Sequence, residues 1–210
     1  MLSHYSKAEF TFLSDRLIAI SSLVNKIAGL TGGHYDSGCW LETIDRCLAW
    51  WVESDASSGR VRLSLSSWSW ASSTGQITYV SRGEWTRAVT LREDIRQHES
   101  GRLRLRGSMW RASLSDLGLR PSGDAKHMGD RHNPLLWWGQ PDPKPRDELE
   151  VLDCLDLGSN RFGLYLSALQ RMSRENGGVQ EFKRLGCLMV SLREPGNTIN
   201  KRAGCFLDLI

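Results

Sequence analysis

The feature that most restricts this fold is a change of apolar period near residue 54. Upstream, apolar residues recur every three or four positions; downstream, they recur every second position. The first spacing keeps one face of a helix apolar, and the second keeps one face of a strand apolar. The chain therefore reads as a single domain, 1–210, with a helical part over 1–54 and a β-rich part over 55–210. The expected class is α+β: an antiparallel helix pair packed on a mostly antiparallel β-rich body.

Ser14 to Ala28 has the pattern of a helix. Ser14 suits the N-cap, and Asp15 places negative charge in the first turn. Leu17, Ile20, Val24 and Ile27 line one face, and Gly29 offers a stop. Leu30 to Ser37, with Gly32, Gly33 and Asp36, reads as a loop. A second helix is expected over Cys39–Val52, with Leu41, Ile44, Leu48 and Trp51 inward and Glu42, Asp45 and Arg46 outward.

Val61, Leu63 and Leu65 alternate as a strand would. Trp68 and Trp70 continue on the other parity, so a bulge near Ser66-Ser67 would restore one face. Gln76–Ser81 follows a turn at Thr74-Gly75. Arg102, Arg104 and Arg106 alternate with Leu103 and Leu105 as a half-buried strand. Leu149–Leu157, Phe162–Leu169 and Phe182–Leu192 are further strands, with turns at Asn160 and at Asn176-Gly177-Gly178. Five of the six prolines lie between 118 and 147, which reads as a long irregular loop. Leu135-Leu136-Trp137-Trp138 in its middle is expected to dock on the core.

Chemical motifs are sparse. The five cysteines are odd in number and widely spaced, without C-x-x-C, so reduced thiols in an intracellular, cytoplasmic protein are expected. His127 and His132 lie near Asp124 and Asp130 but match no metal pattern, and no metal is assigned. There is no G-x-S-x-G, no G-x-x-x-x-G-K-[ST] and no G-x-G-x-x-G after a strand, so no catalytic residue and no cofactor is assigned. A net charge of +3 is too small to imply nucleic acid. The Arg102/Arg104/Arg106 stripe reads as a solvated sheet face rather than a phosphate contact. No apolar run reaches the roughly 20 residues of a membrane span. The nine tryptophans could form a ligand platform or fill the core, and core filling is the expectation.

Three segments carry a resemblance. They are Phe12-Leu13-Ser14-Asp15-Arg16-Leu17-Ile18-Ala19-Ile20-Ser21, then Tyr35-Asp36-Ser37-Gly38-Cys39-Trp40 leading to Leu48-Ala49-Trp50-Trp51, then Ser67-Trp68-Ser69-Trp70-Ala71-Ser72. In this order they resemble the region downstream of the HET domain in filamentous-fungal heterokaryon-incompatibility proteins. That pattern is a D-[RK]-L-x-A-[LI]-S helix, a Y-x-x-G-x-W turn into a helix ending L-x-W, and P-S-W-S-W-A-S. Gly101–Gly107 and Phe182-Lys183-Arg184-Leu185-Gly186 are similar to later strands of the family. Ser66 and Ser22 depart from it, where proline and glycine are usual.

Segments typical of the HET domain itself, such as W-I-D-x-[LI]-C-I-[ND]-Q, do not occur. The resemblance thus implies a truncated member or a fragment, without the TIR-like effector. It implies a non-catalytic regulatory or interaction region with a protein partner, in fungal non-self recognition and programmed cell death. The alternatives are a Trp-lined ligand-binding module and a residual NAD-hydrolysing enzyme. The motif residues Asp15, Arg16, Leu17, Tyr35, Gly38, Trp40, Trp50, Ser67, Trp68, Ser69, Trp70, Ala71 and Ser72 are expected to serve packing.

Overall fold

A computed structural model describes residues 2–8, 10, 12, 14–52, 65–73, 75–80, 83–91, 100–113, 135–139, 151–160, 163–176, 179–191 and 200–209. Four short α-helices precede a sheet-rich body, so the class is α+β. The helices are α1 (Leu2–Tyr5), α2 (Asp15–Ala19), α3 (Ser21–Thr31) and α4 (Ile44–Cys47).

The first expected helix is present as two, α2 and α3, which meet at Ile20. The helix also runs past Gly29. It ends where Gly32 takes a left-handed conformation, φ 70°, and its N–H donates to the Ala28 carbonyl at 2.8 Å. Ser14 makes no side-chain cap. Leu17, Ile20, Val24 and Ile27 are half-buried, while Ile18, Leu23 and Leu30 face solvent.

The second expected helix is replaced. Strands β1 (Tyr35–Asp36) and β2 (Cys39–Trp40) pair across Ser37 and Gly38. Both turn residues have positive φ, 47° and 97°, as a two-residue hairpin turn demands. A 3-10 turn (Leu41–Thr43), α4 and strand β3 (Trp50–Val52) follow. The helical spacing of Leu41, Ile44 and Leu48 still serves, because all three are buried in the core. Strand β3 pairs with β4 (Ile77–Tyr79), which confirms that part of the expected Gln76–Ser81 strand. The alternation at 61–64 and the residue Thr74 lie outside the described residues.

The body is built from β5 (Thr86–Arg87), β6 (Thr90–Leu91), β7 (Leu103–Ser113), β8 (Leu135–Gly139), β9 (Val151–Asn160), β10 (Gly163–Asn176), β11 (Val179–Ser191) and β12 (Asn200–Leu209). Its hydrogen-bond path β7–β9–β10–β11–β12 returns to β7, so five strands close a ring. Antiparallel neighbours alternate in direction, and an odd ring cannot alternate throughout. One pair must therefore be parallel. It is β11 with β12, which meet only at Glu181↔Asp208 and Phe182↔Leu209.

Strands β7 and β9 pair over Met109–Ser113 and then part. Strand β6 takes the freed edge of β7, and β5 takes that of β9. Val89 between them is fully buried. Gly107 sits in this gap, and a Cβ there would come within 2.7 Å of Leu155. Inside the ring lie Leu103, Leu105, Leu155, Leu157, Leu169, Phe182, Leu207 and Leu209, in one core with Leu41, Ile44, Leu48 and Trp68. Burying each of these Leu side chains contributes roughly 1.5–3 kcal/mol.

One further expectation needs correcting. Leu135–Gly139, placed in the Pro-rich loop, is strand β8 and pairs antiparallel with β11. The prolines at 134 and 141 flank this strand without interrupting it. The rest of 118–147 lies outside the described residues, as do His127, His132, Asp124 and Asp130. Among the described residues, no helix is long and apolar enough to cross a membrane.

Candidate functional site

The motif residues, far apart in sequence, gather around a second, smaller apolar cluster. Its members are Trp50, Val52, Trp70, Ala71 and Ile77, flanked by Tyr5, Leu17, Ile20 and Tyr79. Each end of the cluster is closed by a buried arginine lying on an indole.

At one end, the Arg16 guanidinium lies 5.2 Å from the Trp70 ring centroid. Arg16 is 2% exposed. It donates to the Ser73 carbonyl and, at 2.9 Å, to the Ser6 carbonyl. Among the described residues no carboxylate pairs with it. Burial pushes its pKa down, and the Tyr5 hydroxyl partly offsets this. Tyr5 donates to the Arg16 carbonyl at 2.5 Å and meets Trp70 edge-on at 6.1 Å. Ser6 accepts from the Ile77 N–H at 2.8 Å, which ties this segment to β4.

At the other end, the Arg184 guanidinium lies 4.0 Å from the Trp50 centroid. It donates to the Leu48 and Trp50 carbonyls at 3.1 and 2.5 Å. Its own N–H donates to Ser67 Oγ at 2.9 Å. The register slips here, with Ala168 opposite Gly186 and Leu169 opposite Arg184, so Leu185 is an extra residue. Such a bulge re-aims the neighbouring side chain. Burying a charge costs less when its donors find partners, and both arginines direct two hydrogen bonds to backbone carbonyls and rest on a π-face, although Arg16 Nε meets no acceptor among the described residues.

The Trp-Ser-Trp segment is not a bulged strand, and its two rings do not share a sheet face. Trp68 joins the ring core, whereas Trp70 joins the second cluster. Ser69 Oγ accepts from the Ala71 N–H at 3.2 Å, and Ser72 Oγ donates to the Ser69 carbonyl at 2.7 Å. These local bonds favour a 3-10 turn over Trp70–Ser72 in place of a ladder. Every indole N–H of the trio is satisfied. Trp50 donates to the Trp68 carbonyl at 3.1 Å, Trp68 to Gly101 at 3.2 Å and Trp70 to Gly38 at 2.9 Å.

Gly38 fits only as glycine, since a Cβ would lie 2.5 Å from Trp70 Nε1. Tyr35 and Trp40 meet edge-on at 5.1 Å. Burial pushes the Tyr35 hydroxyl's pKa far up. Asp36 anchors the hairpin to the start of β7, accepting from Ser100 Oγ at 2.7 Å and Gly101 N at 3.0 Å.

Of the expected motif residues, the structure brings together Arg16, Leu17, Gly38, Trp50 and Ser67–Ser72. Asp15 stays exposed, and Tyr35 and Trp40 sit at the margin, half-buried. The sequence reading assigned no role to Arg184, Tyr5, Ser6 or Asp36. It also missed a second knot in which buried Asp45 accepts from Trp85 Nε1 at 2.7 Å and pairs with Arg87 at 3.3 Å. A buried arginine in a strand of apolar neighbours was the available signal for Arg184. No group of three or more metal-ligating side chains occurs among the described residues.

The Arg102 side chain pairs with Glu181 at 2.7 Å, and Asp208 stands opposite Arg104 across β7 and β12. At least one member of the arginine stripe is thus held by an acid rather than left to solvent.

Searches against protein-family models, curated proteins and solved structures found no match to this chain.

Proposed function

We propose that the chain is a non-catalytic interaction region of a heterokaryon-incompatibility-like protein, acting with a protein partner in fungal non-self recognition and programmed cell death. The observation that carries this reading is the mutual burial of the three motifs. Trp50, Trp68 and Trp70 are each 0% exposed, and their indole N–H groups are spent on backbone carbonyls. Their chemistry builds a scaffold, and they offer no open indole face to a ligand. What the scaffold presents outward includes Ile18 of α2 and Leu30 of α3, 67% and 79% exposed. Large apolar side chains left exposed on consecutive elements are candidates for an interaction surface.

The test is expression of the chain in a filamentous fungus, scoring cell death on hyphal fusion between incompatible strains. The chain should change the frequency of death. The double variant Ile18→Glu/Leu30→Glu should melt as the parent does and lose the effect. A well-expressed parent chain that leaves fusion death unchanged would overturn the reading. Turnover of NAD by the purified chain would favour the enzyme alternative instead.

A further inference from the structure

We propose that Cys39 and Cys47 are a dithiol pair that a hydroperoxide closes to an intramolecular disulfide, making the β2–α4 segment a redox-modified site. Cys39 ends the hairpin turn on β2 and is fully buried, whereas Cys47 ends α4 and is half-buried. The 3-10 turn and α4 fold the intervening chain back on itself. The Cys39 S–H therefore comes within 3.8 Å of the Cys47 carbonyl. On the other side of Cys47, Thr43 Oγ1 lies 3.7 Å from its Sγ.

The division of roles follows from this geometry. Cys47 is half-buried and so within reach of a peroxide, with the Thr43 hydroxyl beside its sulfur to favour the thiolate, whereas Cys39 is fully buried. Cys47 is then the attacking sulfur and Cys39 the resolving one. Burial leaves Cys154 pushed up to about 12 and Cys187 up to about 11, which keeps them as unreactive thiols.

In the first step the Cys47 thiolate attacks one peroxide oxygen. An S–O bond forms, the O–O bond breaks, and hydroxide leaves to take up the proton the thiol released. The product is Cys47 sulfenic acid. In the second step Cys39 sulfur attacks Cys47 sulfur. The S–S bond forms, the S–O bond breaks, and water leaves with the Cys39 proton. Two thiols lose two electrons, and one peroxide becomes two waters.

The crosslink would act on both arginine stacks. Gly38, next to Cys39, accepts the Trp70 indole; Leu48, next to Cys47, accepts Arg184. Joining the two sulfurs fixes the spacing between these anchors.

The experiment treats the purified full chain with one equivalent of hydrogen peroxide, quenches it, and maps thiols by alkylation and mass spectrometry. Titratable thiols in the unfolded product should fall from five to three, with one new Cys39–Cys47 linked peptide. Cys39→Ser should instead accumulate Cys47 sulfenic acid, trapped by dimedone. Oxidation of Cys154 or Cys187 at a rate equal to Cys47 would overturn the proposal. So would a product linked between molecules. Both readouts on the unmutated chain stand even if the variant does not fold.

Discussion

Arg16 and Arg184 each lay a buried guanidinium on an indole, yet they differ in what else holds them. Arg16 sits on a five-residue helix and ties down the Ser6 and Ser73 carbonyls, both outside helices and strands. Arg184 sits on a thirteen-residue strand inside the closed ring and reaches the carbonyls of Leu48 and Trp50. It is also closer to its indole, 4.0 against 5.2 Å. The difference teaches that one chemical device can do two jobs. The strand positions Arg184, and Arg184 positions β3. By contrast, Arg16 is itself part of the loosely framed segment that it fastens.

The comparison is broken most severely by removing an indole. Trp68→Ala and Trp70→Ala should each destabilise the fold by about 3–5 kcal/mol, read by denaturant unfolding. If Trp70→Ala leaves the transition unchanged, its stack carries no weight. Arg184→Met should cost about 3 kcal/mol, because two buried carbonyls lose their donor. Arg16→Met should cost less, about 1–2 kcal/mol, since the Ser6 and Ser73 carbonyls it holds lie outside helices and strands and can turn to water. Hydrogen exchange should locate the Arg16→Met loss in residues 2–31 and 70–79, with the ring protected. Equal losses in the two variants would erase the distinction. Gly38→Ala should cost about 2 kcal/mol through its φ of 97° and its contact with Trp70.

The effects of pH are small near neutrality and grow only away from it. Cys154 and Cys187 have folded pKa values raised to about 12 and about 11. The contribution of each is complete below the ordinary thiol pKa. It is lost as pH rises towards those values, because the unfolded chain ionises first. Melting measured from pH 8 to 10.5 should fall, and Cys154→Ala should flatten the fall. Glu42 behaves oppositely. Burial raises its pKa, but hydrogen bonds from the His34 ring and N–H outweigh this and hold it lower. Its contribution is present near neutrality and is lost as pH falls through that lowered value. The pair is about 40% exposed, so the loss should not exceed about 0.5 kcal/mol.

Much of the β-rich body was legible. Leu103 and Leu105 are fully buried, as their alternation with arginine demanded, and the strands at 151–160, 163–176 and 179–191 overlap the periodic runs. The failures have local causes. The spacing of Leu41, Ile44 and Leu48 suits a helix, but Ser37-Gly38 turns the chain so tightly that Cys39 and Trp40 must pair backward. Serine hydroxyls around Trp70 outcompete a ladder for the same backbone groups. Strand β12 escaped notice because Phe206, on the opposite parity, blurs the alternation of Cys205, Leu207 and Leu209, and because the register shifts between Arg202 and Cys205. Of the candidate site, Trp68 and Trp70 were legible as core. Arg184 was not, since a periodicity argument has no place for a charged residue facing inward.

The ring has a consequence for the order of events during synthesis. Strand β7 finds one neighbour, β9, some forty residues later, but the other is β12, where Leu103 meets Leu209. A ribosome adding about 5–20 residues per second leaves that flank of β7 waiting for several seconds. Throughout that interval an open strand edge is available to any other chain with a complementary one. Nascent protein, rather than the finished ring, is then the form most exposed to mispairing. A chaperone that shields β7 until Leu209 emerges should raise the folded yield.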